Sequence, residues 1–293
     1  MTNILLYATT VLIWGTTWFA IKLQIGVAPD ELSILYRAIL AALGLIAWCK
    51  INKLSLRFPL IDHVFFFLLG LSMFSLHYLF IYNATHHLIS GVVAVIFSGV
   101  GFFSILHNFV FFKARPSLLT VLGVIIGISG LCLFFWTEVT SVSMRQETIE
   151  GFILSGAGVL IFSLGGAIGK RNINRGVPLV PGVAIAATYG AIVILLYIMF
   201  IKHQTLVLPA NIVYWTSVLY LALFGSIISF LCYMQIVKNI GPELAGYITV
   251  VAPVIALIIS SIMEGYEWSA EDLVALALVI VGNVLVISKK RVR

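Results

Sequence analysis

Charge is what this chain of 293 residues has least of. Lys, Arg, Asp and Glu together make up 10% of it, where a soluble domain carries about 25%. Hydrophobic residues reach 61%. A water-soluble core of this length has no use for so much apolar surface, so the chain must meet a second apolar solvent, a lipid bilayer. Cysteine is almost missing. Cys49, Cys132 and Cys232 are isolated within apolar runs and no CxxC occurs, which argues against a zinc site or a disulfide framework. The net charge of +6 is scattered through short gaps between apolar runs, so it is not a nucleic-acid footprint. No nucleophile with base and acid partners, no metal cluster and no nucleotide fingerprint appears, which disfavours an enzyme and calls for no cofactor. Gly165-Gly166-Ala167-Ile168-Gly169-Lys170 is not a P-loop, because Leu164 holds the first glycine's place and Arg171 that of the Ser or Thr. Asn83-Ala84-Thr85 fits a glycosylation triplet but abuts a membrane end.

What is present is one unit written twice. Tyr82 and Tyr233 lie 151 positions apart, and Gly130 and Gly282 lie 152 apart. Val11-Leu12-Ile13-Trp14, with Lys22 following, matches Val159-Leu160-Ile161-Phe162, with Lys170 following, at an offset of 148. Nearly constant offsets are the mark of an internal repeat. The expected division is a first repeat at 1–137, an external linker at 138–149 and a second repeat at 150–293.

A helix needs about 20 mostly apolar residues to cross a bilayer. Ten segments qualify: 4–22, 33–50, 63–82, 89–111, 117–136, 150–171, 180–201, 212–235, 243–263 and 272–288. Their continuous apolarity excludes barrel strands, which alternate, and in lipid the backbone must bond within each segment. The expected fold is therefore an all-α polytopic membrane protein. The first segment has no basic residue before it and no small-x-small site after it, so it reads as a spanning helix and not a removable signal. With the N-terminus inside, thirteen Lys and Arg residues fall in inner loops and three, Lys22, Arg145 and Lys202, in outer ones. The positive-inside rule then places both termini in the cytoplasm. Five crossings per repeat is odd, so the two repeats are inverted with respect to each other. Such pairs hold their solute site at the repeat interface near the midplane.

Candidate wall residues follow from face spacing. Trp14, Thr17 and Trp18 share a face of the first helix. Trp14 falls near the bilayer centre, where it reads either as a wall offering π surface or as a packed indole bonded to a neighbour. Arg37 lies towards the outer end of helix two, able to attract a carboxylate or to snorkel outward. His77 and Tyr78 come from helix three, Ser98 and Phe102 from helix four, and Phe162 from helix six. Ser229 and Tyr233 extend a face of helix eight that begins at Ser226, and Thr249 precedes Pro253, a hinge, in helix nine. Intramembrane ionisable groups suggest function, so His77 or His107 reads either as the carrier of a coupled proton or, more commonly for a lone intramembrane histidine, as a packed hydrogen-bonding group.

Trp14-Gly15-Thr16-Thr17, then Lys22, Pro29 and Arg37, resembles the first repeat of the drug/metabolite transporter superfamily in its EamA-type branch. The proline-bearing ninth helix, the acidic turn Glu264 to Glu267 and Gly282 in the tenth resemble its second repeat. The resemblance covers essentially the whole chain. It implies an inner-membrane carrier of small metabolites, such as amino acids or related amphipathic compounds, often an exporter. Nucleotide-sugar and organic-cation carriers of the same superfamily are alternatives, and a channel or an intramembrane enzyme is the alternative from outside it. Phe102 and Lys113 depart from the family's proline and acidic residue, so the first repeat is expected to bend less than the second.

Overall fold

A computed structural model describes residues 3–113, 115–141, 145–240 and 248–287. Among them the chain forms ten helical rods and no strand. They are α1 Asn3–Lys22, α2 Asp30–Ile51, α3 Leu60–His87 and α4 Ser90–Phe112, and α5 Leu118–Ser141. The second half has α6 Arg145–Asn174, α7 Leu179–Lys202, α8 at 212–240, α9 Ile248–Met263 and α10 Ala270–Ile287. The expected tenfold count holds. α5 runs to Ser141 and α6 starts at Arg145, so the described residues of the 138–149 stretch are helical. The start expected for helix nine at 243 and the terminal Lys289-Lys290 lie outside the described residues.

Local chemistry sets the helix starts. Pro29, Pro59 and Pro178 precede α2, α3 and α7 with extended ψ, because proline has the right φ for entry and no N–H to strand. Asn211 caps α8 by accepting from the amides of Val213 and Tyr214 at 2.9 and 3.1 Å. Ser269 and Asp272 form a reciprocal cap at α10, at 3.0 and 2.9 Å. Large apolar side chains such as Ile4, Leu43, Phe200 and Ile262 point outward, where lipid, not water, is the solvent.

The packing is symmetric under the repeat. α2 faces α7, α4 faces α9 and α5 faces α10; α1 packs on α8 and α9, as α6 packs on α3 and α4. Adding five to each helix number of the first half, and subtracting five in the second, returns the same pairs. The α5 and α10 backbones come close enough that a Cβ at Gly282 would strike the Gly127 backbone.

Three rods contain π-helix and a fourth is interrupted. α3 is π-helical over Leu71–Leu76 and α8 over Leu221–Ile228, while α7 ends in a π segment at Ile198–Lys202. In the first two a serine hydroxyl bonds a carbonyl five residues back: Ser75 to Gly70 at 3.2 Å and Ser226 to Leu221 at 3.0 Å. These serines are themselves 151 positions apart, so the widened turn belongs to the repeat. α4 is broken at Ser98 and Gly99, where the amides bond three residues back to Val95 and Ile96. The first half thus interrupts its fourth helix without a proline. The Ser98 hydroxyl feeds the break by donating to the Val95 carbonyl at 2.6 Å. Pro253 lies within a continuous α9.

Candidate substrate cavity

The two halves leave a cavity between them, with about 80 Å³ open to the centres of water-sized molecules. α1 to α4 contribute walls from the first half and α6, α8 and α9 from the second. Of the residues expected there, Trp14, Thr17, Trp18, Arg37, His77, Tyr78, Ser98, Phe162 and Thr249 line it, as does Pro253.

One wall is a run of rings. Trp18 meets Phe97 edge-on at 5.0 Å between centroids, Phe97 lies 4.9 Å from Phe162, and Phe162 lies 5.2 Å from His77. His77 then leans on Tyr78 at 3.7 Å. His77 Nδ1 sits 2.8 Å from the Ser72 carbonyl. A carbonyl only accepts, so Nδ1 carries the hydrogen and the ring is fixed to the π segment. Trp14 fulfils both of its readings. It lines the cavity, and its indole N–H donates to the Ser229 hydroxyl at 2.9 Å. The Thr17 and Ser98 hydroxyls spend their hydrogens on backbone carbonyls, Trp14 at 2.8 Å and Val95 at 2.6 Å.

Arg37 does not snorkel. Only 4% of it is exposed. Its Nε donates to Ser226 Oγ at 2.9 Å, its Nη2 donates to the Tyr78 hydroxyl at 2.5 Å, and its guanidinium carbon lies 4.1 Å from the Tyr78 ring centre. The small residue Gly225 makes room: a Cβ there would stand 3.1 Å from Thr17 Cγ2 and 3.5 Å from Nη2.

Three expected wall residues lie elsewhere. Phe102 is buried against α5, its ring filling the space beside Gly127; the break at Ser98 and Gly99 changes the face that follows. Ser229 and Tyr233 stand behind Trp14, the first bonded to its indole and the second with its ring 5.2 Å away. The face read as Ser226, Ser229 and Tyr233 assumed α-helical spacing. Across the π segment each residue turns through a smaller angle, so the lining face of α8 is Gly225, Ser226 and Phe230. Phe97, Met73 and Phe74 also line the cavity and were not anticipated; their chemistry is that of any packed apolar residue, and no signal distinguished them. His107 bonds Ser163 at 3.0 Å and does not line the cavity. Glu264, in the acidic turn after α9, accepts from the Ser90 amide at 3.3 Å and from the Ser90 and Ser260 hydroxyls, capping α4 from the other half.

A family model described as the EamA-like transporter family matches residues 1–136 and again 149–288. The chain belongs to the EamA-like transporter family. The "Uncharacterized inner membrane transporter YedA" of Escherichia coli is 28% identical over 279 residues, covering 94% of this chain and 87% of its own. "Protein PagO" of Salmonella typhimurium is 24% identical, with 95% of this chain and 90% of its own covered. A solved crystal structure of a protein superposes with a TM-score of 0.69 at 19% identity, over 97% of this chain and 95% of that one, which shows the shared fold. This EamA-like protein is thus a polytopic membrane protein of a transporter family.

Proposed function

We propose that this EamA-like chain is a secondary transporter for a small amphipathic metabolite, an amino acid or a related compound. It moves the solute through the central cavity by alternating access. The observation that carries this reading is the cavity's position: both halves wall it, and the packing of those halves is symmetric under exchange. Rocking of one half against the other would then open the same site to each side in turn. The relative named as an inner membrane transporter supports that location. The excess of Lys and Arg in one set of loops supports cytoplasmic termini. Export rests on the family resemblance alone.

The test is uptake into vesicles reconstituted with the purified protein. The expected result is saturable uptake with accelerated exchange when the same solute is loaded on the far side. A flux that neither saturates nor shows counterflow would identify a channel, and product formation would identify an enzyme.

A further inference from the structure

Among the described residues, Arg37 is a buried cation paired with no carboxylate. The two carboxylates on its own helix, Asp30 and Glu31, are held elsewhere: Asp30 by His86 at 2.9 Å and Glu31 by Lys202 at 2.8 Å. The groups that do meet the guanidinium are the Tyr78 and Ser226 hydroxyls, with the Tyr82 hydroxyl also interacting with it, and all three are neutral. His77, alongside Tyr78, and Tyr82, which donates to Gln24 at 2.9 Å, are the other titratable groups nearby. Among the described cavity-lining residues there is no Asp or Glu. Most telling, Arg37 Nη1 is buried and has no hydrogen-bond partner. An unpaired buried charge with an unused donor is costly, and intramembrane ionisable groups of this kind serve function.

We infer that Arg37 is the anchor for a carboxylate carried by the solute, and that the substrate class is a small monocarboxylate with an aromatic or apolar body. This rests on the transport reading above and narrows it. The carboxylate takes Nη1 together with Nη2 as a fork, displacing the Tyr78 hydroxyl, since the planar guanidinium matches two oxygens at once. The body lies against Trp14, Trp18, Phe97 and Phe162. An organic cation lacking a carboxylate meets an uncompensated like charge and no acidic partner, so it is rejected.

The experiment compares 3-phenylpropionate, its amide, phenylalanine and phenethylamine, four solutes with one ring and different ends. Binding to the full-length purified protein is measured by calorimetry, and uptake is measured separately in proteoliposomes. The acid is expected to bind, the amide about tenfold or more weakly, phenylalanine to keep most of the acid's affinity, and phenethylamine not to bind. Arg37→Gln should erase the acid's advantage over the amide, Arg37→Lys should retain part of it, and Ser226→Ala keeps the charge as a check should Arg37→Gln misfold. Equal binding of acid and amide, tighter binding of phenethylamine, an unchanged preference in Arg37→Gln, or no binding by any of the four overturns the proposal. Binding of the acid without counterflow in vesicles would instead leave the anchor standing and sink the transport reading.

Discussion

At the scale of the residue, this site shows how one side chain can be both wall and scaffold. Trp14 presents its ring to the cavity while its N–H is tied to Ser229, which in turn donates to the Gly225 carbonyl at 2.9 Å. The two roles separate by substitution. Trp14→Phe keeps a ring but drops the bond, worth roughly 0.6 kcal/mol between membrane helices; a slightly lower melting temperature and nearly normal uptake are expected. Trp14→Ala removes the wall and should abolish most uptake in vesicles while the protein still purifies as a single species. Gly225→Ala puts a methyl beside Arg37 Nη2 and is expected to weaken carboxylate binding more than it lowers the melting temperature. Trp14, Trp18 and Phe162 were legible because their faces follow helical spacing and large rings in a span are conspicuous. Arg37 was legible as a charge in an apolar run; its bonds to Ser226 and Tyr78 were not, because those partners are 189 and 41 positions away.

At the scale of the element, departures from the regular α-helix decide what each rod shows the cavity. The π segments of α3 and α8 and the break in α4 all lie near mid-span. Each alters the register of the residues beyond it. That is why helical spacing put Phe102, Ser229 and Tyr233 on the wall when they lie off it. Close approach is a second element-scale constraint. Gly282→Val should cost α5 and α10 their contact and lower the melting temperature by several degrees, whereas Gly156→Ala, with nothing within 4 Å of the new methyl, should change little. Pro253 withholds one amide from α9 beside the cavity. If the helix flexes there during transport, Pro253→Ala slows uptake at saturating solute and leaves binding affinity unchanged; a normal rate would remove the hinge from the mechanism.

At the scale of the whole molecule, polar bonds join the halves at the end where α1 finishes. Gln24, which accepts from Tyr82 of its own half at 2.9 Å, donates to Ser217 at 3.0 Å, and Ser33 pairs with Tyr214 at 2.9 Å. If the halves rock as proposed, the Gln24–Ser217 and Ser33–Tyr214 bonds break, and Gln24→Ala is expected to favour the state open at this end. A cysteine at Ala94, placed in a background whose three cysteines are serine, should then react faster with a thiol reagent added on that side. The sequence by itself determined the solvent, the number of crossings and the repeat, because apolarity, segment length and offset are properties of the chain read in one dimension. Only the tertiary structure decided that Arg37 lies buried across from Ser226 with a donor unused, and that Tyr233 stands behind Trp14 instead of beside it. The reason is physical: which side chains share a cavity depends on how helices from two distant repeats cross and on the turn angle within each, and neither is a function of spacing along one strand of residues.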